Sequence, residues 1–310
     1  MGQPSVGPAP GAIGARRTTS LWRLIVKNRW GYFFILPKYI FFLVFVGFPV
    51  LWAFVLSFQK FQVFDTVWVG FDNFVRVFQS ELFWIALWNT LKYTVVVVPA
   101  MVLTALLLAS LIFPLSPRMQ TFFRAAYYLP TVTSVLVLAM VWRWMYNPSY
   151  GLLNYFMSLV GIPPVNWLGS SATAMWSVII MTVLTPPGVG VIMYLAAMGS
   201  IPESVYEAAR IDGAGFFRRW WHITVPLLKP TTLYLVVLET IGSFQVFTQI
   251  LMMTQGGPGH STTTLVTLIY DTAFRDFNFG QAAAQSMVLF AVIMVFAWVQ
   301  FRFLRSDIEY

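Results

Sequence analysis

Apolar residues run along this chain in long blocks separated by short charged segments. Crossing a hydrocarbon core takes about 20 apolar residues, each adding ~1.5 Å of helix. Six blocks are of that order, at roughly Tyr32–Ser57, Tyr93–Phe113, Leu129–Trp144, Ala172–Met198, Thr231–Met253 and Ala283–Phe301, the third being the shortest. The pattern predicts an all-α integral membrane fold of six transmembrane helices. Composition agrees: with 58% hydrophobic and 10% charged residues in 310 positions, there is too little polar surface to cover a soluble globule.

The first block follows a basic segment containing Arg16, Arg17, Arg23, Lys27 and Arg29. It is too long for the h-region of a secretion signal and no small-x-small cleavage site follows, so it reads as a retained span. Residues 1–30 are expected to form a disordered, basic N-terminal segment, its Gly2–Ala15 tract being rich in Gly, Pro and Ala. Residues 31–310 are expected to form the transmembrane domain.

Charge sets the expected orientation. With both ends in the cytoplasm, thirteen bases fall on the inner side: Arg16, Arg17, Arg23, Lys27, Arg29, Arg118, Arg124, Arg210, Arg218, Arg219, Lys229, Arg302 and Arg305. Five fall outside, namely Lys60, Arg76, Lys92, Arg143 and Arg275, with Lys38 snorkelling from span one. The net charge of +8 is then accounted for by the positive-inside bias and anionic lipid, and no nucleic-acid partner is expected.

Between spans four and five lies a compact charged segment, 200–230, on the expected cytoplasmic side. Ser200-Ile-Pro-Glu203 has the order of a capping box, which predicts a helix from there through Ile211. Gly213 supplies the backbone freedom to turn, a second short helix is expected from about Gly215, and Pro226 and Pro230 mark the approach to span five. By periodicity alone the hairpin is equally an interfacial element, with Phe217, Trp220 and Trp221 at the headgroups.

The residue order goes further. Glu207-Ala-Ala-Arg-Ile-Asp-Gly-Ala214, followed by Ile223-Thr-Val-Pro226, resembles the EAA signature of permease subunits of bacterial ABC importers. The resemblance covers roughly Gly31 to the C-terminus and is closest to the carbohydrate-uptake branch. It includes Gly70-Phe-Asp-Asn-Phe74, Asn89-Thr90-Leu91, Asn147-Pro-Ser-Tyr-Gly-Leu-Leu-Asn154, Trp167-Leu-Gly169 and Gly256-Gly-Pro258. It implies a binding-protein-dependent importer of the first type, in which this loop is a coupling helix docked on a separate ATPase. Glu207, Ala208, Ala209, Asp212, Gly213 and Ala214 then form the docking surface. The implied partners are a second permease, two ABC ATPase subunits and an extracytoplasmic solute-binding protein, in a prokaryotic inner membrane, with a sugar as substrate.

The sequence places ATP hydrolysis elsewhere. A P-loop needs a lysine directly after glycine, and none of Lys27, Lys38, Lys60, Lys92 and Lys229 has one before it. Gly256-Gly-Pro-Gly-His260 reads as a turn. With no cysteine, and with His222 and His260 alone, no metal or other cofactor is expected, and no clustered nucleophile and base suggests an intramembrane enzyme. A self-contained secondary transporter or channel is the competing class, but no internal repeat is evident.

At about 100° per residue, Glu239, Gly242, Gln245 and Gln249 of span five share one helical face. An ionisable group in lipid costs ~2.5 kcal/mol or more, so Glu239 should face a bundle interior, a partner or water. A sugar pathway is the functional reading and helix glue the structural one. Thr185-Pro-Pro-Gly-Val-Gly190 should kink span four, and Arg143 and Trp144 read as an anchor or gate at the outer end of span three.

Overall fold

The computed structural model describes residues 29–62 and 65–304. The readings of the Gly2–Ala15 tract, of Arg16, Arg17, Arg23 and Lys27, and of Arg305 lie outside the described residues. Arg29 and Trp30, assigned above to the basic segment, belong instead to helix. The chain divides into two compact units between Ala53 and Phe54.

Helix α1, Arg29–Leu56, is long and apolar enough to cross a membrane, and none of its residues is buried. Over Leu43–Gly47 it widens to a π-helical turn. Pro49 explains the widening: its ring would collide with the carbonyl four residues back, inside that stretch, and the looser turn relieves the clash. The same pairing recurs at Trp220–Thr224, two residues before Pro226.

In the second unit a two-stranded antiparallel hairpin, β1 Gln59–Gln62 and β2 Asp65–Trp68, pairs Lys60 with Val67 and Phe61 with Thr66. A short amphipathic helix α2, Asp72–Gln79, follows, and its Asn73 amide donates to the carbonyls of Ser57 and Gln59, both at 2.9 Å. Helix α3 runs from Glu81 to Ile112, with the Ser80 hydroxyl accepting from the Phe83 amide at 3.4 Å. It therefore starts twelve residues before the apolar block at Tyr93. The polar residues that hid this have partners: Asn89 and Thr90 bond to a distant loop, and the Lys92 ammonium sits 5.7 Å from the centre of the Trp176 ring.

The third span is not one straight helix. Helices α4, Pro117–Val132, and α5, Val135–Met145, meet at 89°, so the block Leu129–Trp144 straddles a sharp corner, and Arg118 and Arg124 lie within helix. Helix α6, Leu152–Leu159, leads to span four, which breaks as expected at Thr185–Pro187 into α7, Ala174–Leu184, and α8, Gly188–Gly199, bent by 42°. Here glycine allows close approach: a Cβ on Gly188 would strike the Tyr127 carbonyl, and one on Gly190 would lie 2.9 Å from the Ala105 methyl. The remaining helices are α9 Glu203–Ile211, α10 Phe216–Leu227, α11 Lys229–Phe244, α12 Thr248–Met253, α13 Leu265–Phe274 and α14 Phe279–Leu304. Helix α11 packs against α3 and α14, and α8 against α3 and α4, around a core containing Leu106, Val191, Tyr194, Leu195 and Leu235. Among the described residues three helices are long and apolar enough to cross a membrane, or up to six if each bent pair is one span.

Candidate functional site

The hairpin between spans four and five forms, but not from a capping box. Ser200 Oγ donates to the Ala197 carbonyl at 2.7 Å and so closes the preceding helix, while Pro202 stands at the N-cap of α9 with no side-chain bond. The reason is local: Pro202 drives Ile201 out of the helical region, so Ser200 cannot start a helix that runs through both.

The other end is as expected from Gly213. The Ala214 amide donates to the Ala209 carbonyl at 2.9 Å and the Gly213 amide to the Arg210 carbonyl at 3.0 Å, a Schellman turn with Gly213 at φ 74°. The second helix starts at Phe216 after Gly215. Glu207, Ala208, Asp212 and Gly213 are exposed and Ala209 and Ala214 half-exposed, so the six expected docking residues share one accessible end of the hairpin. Ile211 stands among them at 87% exposure. Sequence reading passed over it as a helix position, although an isoleucine on an otherwise polar turn was the available signal.

One side-chain bond closes the hairpin on itself and another holds it to the bundle. The Tyr206 hydroxyl shares a 3.0 Å bond with the Thr224 hydroxyl across the hairpin, and the Trp220 indole donates to Ser110 Oγ at 2.7 Å near the end of α3. Behind these contacts lies a cavity of about 620 Å³ lined by Phe113, Met198, Tyr206, Arg210 and Trp220. The ion pairs among the described residues are Asp72–Arg76 and Asp271–Arg275, so the charges of Glu207 and Asp212 are not neutralised within the described chain.

The polar stripe of span five needs correction. Glu239 and Gly242 lie on α11, but that helix stops at Phe244; Gln245 is its C-cap and Gln249 lies on the separate helix α12. The break has a tertiary cause, because the Thr264 hydroxyl donates to the Val246 carbonyl at 3.0 Å and holds it for the following loop. Glu239 is half-buried and close enough to Tyr93 of α3 to act on it electrostatically, and Tyr93 shares a 2.9 Å bond with Thr182 of α7. Polar groups of spans two and four thus meet at Tyr93 and Thr182, and Glu239 of span five is a carboxylate within electrostatic range of them.

Several quoted motif residues prove to be clamps. The Asn89 amide donates to the carbonyls of His260 and Thr263, both at 3.0 Å, and Thr90 Oγ1 accepts from the Leu265 amide at 3.0 Å, fixing the turn that holds Gly256–His260. Asn154 accepts from the Val165 amide and the Trp167 indole and donates to the Pro148 and Val165 carbonyls. Arg143 donates to the Met252 carbonyl at 3.2 Å, tying α5 to α12 as an anchor.

Among the described residues, apolar helices of membrane-crossing length packed into a bundle, with an exposed charged hairpin between two of them, define an integral membrane protein of the transporter class. The chain belongs to the family described as binding-protein-dependent transport system inner membrane component, whose model matches residues 93–305. It is 34% identical over 276 residues to the trehalose/maltose transport system permease protein MalF of Thermococcus litoralis, covering 87% of this chain and 91% of that one. It is 33% identical over 293 residues to the sn-glycerol-3-phosphate transport system permease protein UgpA of Escherichia coli strain UTI89, covering 93% and 98%. Among solved structures it resembles a bacterial ABC transporter involved in the import of the acidic polysaccharide alginate, with a TM-score of 0.82 and 27% identity over 93% of this chain and 99% of that one. Another structure holds the alginate transporter in complex with an alginate pentasaccharide-bound periplasmic protein. The chain is thus an ABC importer permease, a multi-pass inner-membrane transporter subunit rather than an enzyme, which works with a second permease, ATPase subunits and a solute-binding protein.

Proposed function

We propose that this subunit imports a saccharide or sugar derivative by alternating access, with the 200–230 hairpin as the coupling element that an ATPase subunit grips. The observation that carries the reading is the hairpin itself: a Schellman-locked turn that presents Ile211, Asp212 and Gly213 outward with its carboxylates unpaired. Glu207, Ala208, Ala209 and Ala214 complete the gripped surface, the alanines allowing close approach. Relatives named for trehalose/maltose and for alginate support a saccharide substrate, and one named for glycerol 3-phosphate extends the class to a phosphorylated polyol.

Thirteen bases against five support both termini in the cytoplasm, and residues 31–310 form the transmembrane domain in this reading. Glu239 lines the pathway together with Gln245 and Gln249, the two glutamines reaching it from the loop and helix after α11 rather than from one helical face. The test is Asp212→Arg and Gly213→Trp in the whole transporter. Both should insert in the membrane yet lose ATPase copurification or uptake, and normal behaviour of both would remove the hairpin from coupling.

A further inference from the structure

At the end of α5 opens a recess of about 520 Å³, a volume suited to a small organic ligand. Trp144 and Tyr150, 49% and 65% exposed, supply aromatic faces at its wall. Its floor is rigid: Tyr146 is buried and donates to the Ser177 carbonyl at 2.9 Å, and a Cβ on Gly151 would collide with the carbonyls of Met145 and Asn147.

The polarity of the lining is one-sided. Asn147 Oδ1 accepts from the amides of Ser149 and Tyr150 at 2.9 and 3.2 Å, and Asn166 Oδ1 accepts from the Gly169 amide at 3.0 Å. Asn147 Oδ1 thus has both lone pairs engaged and Asn166 Oδ1 one of its two, so what these side chains chiefly offer a ligand is their NH2 groups. Arg143 uses one of its five N–H donors on the Met252 carbonyl. No carboxylate lines the recess. A neutral sugar brings hydroxyl donors as well as acceptors, and those donors would find few side-chain acceptors, the second lone pair of Asn166 Oδ1 and the Tyr150 hydroxyl, against a guanidinium and two NH2 groups. An anionic group satisfies a guanidinium and two amide donors with charge-assisted bonds.

We propose that this recess is a subsite for an anionic saccharide, carboxylated or phosphorylated, whose acid group is held by Arg143, Asn147 and Asn166 and whose ring lies against Trp144 or Tyr150. The proposal rests on the saccharide-import reading and deepens it.

The test uses the assembled transporter in lipid nanodiscs, with trigalacturonate and glycerol 3-phosphate as anionic probes and maltotriose as the neutral one, read by equilibrium binding and by uptake in vesicles. Asn147→Asp and Asn166→Asp keep the oxygen that caps the local amides while turning the donor into a second negative oxygen. Each should weaken anionic-probe binding by at least about tenfold and affect maltotriose far less. Arg143→Met serves as a third variant, with Arg143→Lys retaining part of the affinity. Absence of anionic binding in the unaltered transporter, or equal loss for charged and neutral probes, overturns the proposal; equal loss would mark the recess as a contact for the solute-binding protein. Failure to take up any probe, with anionic binding intact and sensitive to Asn166→Asp, would sink the import reading and leave this one standing.

Discussion

Trp220 and Ser110 are joined by a 2.7 Å hydrogen bond from indole to hydroxyl, across 110 residues of sequence. It links the hairpin to the end of a helix that also carries Tyr93 and Asn89. If the hairpin couples to an ATPase, this directional contact is a route by which its displacement would reach span two. Trp220→Phe keeps the ring and removes the donor, at a cost of about 1 kcal/mol. The expected outcome is a complex that assembles and hydrolyses ATP but moves less substrate per ATP, measured as the ratio of uptake to phosphate release. An unchanged ratio would show that the bond only holds the hairpin in place.

Gly213 adopts φ 74°, and a Cβ there would meet nothing within 4 Å. Within this chain the glycine serves the backbone, not a close contact. Gly213→Asn should be nearly silent in the isolated permease, and Gly213→Val should cost about 1–2 kcal/mol, because a β-branched residue is strained in that region. Thermal unfolding of the purified permease compares the two. If Gly213→Asn nevertheless loses the ATPase on copurification, the space beside residue 213 belongs to that partner.

That turn shows what the chain discloses of its own fold. Gly213 announces a left-handed helix end because few residues adopt that conformation, and Thr185-Pro-Pro-Gly188 announces a break for the same local reason. The end of α11 at Phe244 is invisible locally, since it depends on a hydroxyl at Thr264, eighteen residues on. The corner at Thr133 and Ser134 is hidden by the apolar residues on both sides. The exposed turn that carries the proposed docking residues was legible in the sequence, whereas the recess at Asn147 and Asn166 was not: its donor character appears only once their oxygens are seen to accept local bonds.

Asn89 bonds two carbonyls of the 260–263 turn from inside a membrane-length helix. Asn89→Ala should leave both acceptors short of a donor, at a cost of about 2 kcal/mol. The expected result is a lower unfolding temperature with faster amide exchange over 256–265. Unchanged exchange there would mean that Thr90 alone holds the turn.

Glu239 has Tyr93 in electrostatic reach, and among the described residues no hydrogen bond or ion pair ties it to another side chain. Glu239→Gln should alter apparent substrate affinity with assembly intact. Glu239→Leu should lose more, by about 1 kcal/mol per hydrogen bond removed. Uptake measured alongside subunit stoichiometry decides: normal uptake by a correctly assembled leucine variant takes Glu239 off the pathway, and loss of the second permease makes it helix glue.

The widened turn ahead of Pro226 bears on how the hairpin is aimed. A π-helical turn holds one residue more than an α turn, so the stretches before and after it are out of phase by about 100° relative to a continuous α-helix. Trp220 at one end of that turn reaches Ser110, and Thr224 at the other reaches Tyr206. Were the turn to rewind as ordinary helix, these two side chains would no longer point to their partners together. Pro226, the last residue of the Ile223-Thr-Val-Pro226 stretch, thus sets the compass heading of the hairpin from beyond its exposed turn, and moving that single proline would redirect the whole element.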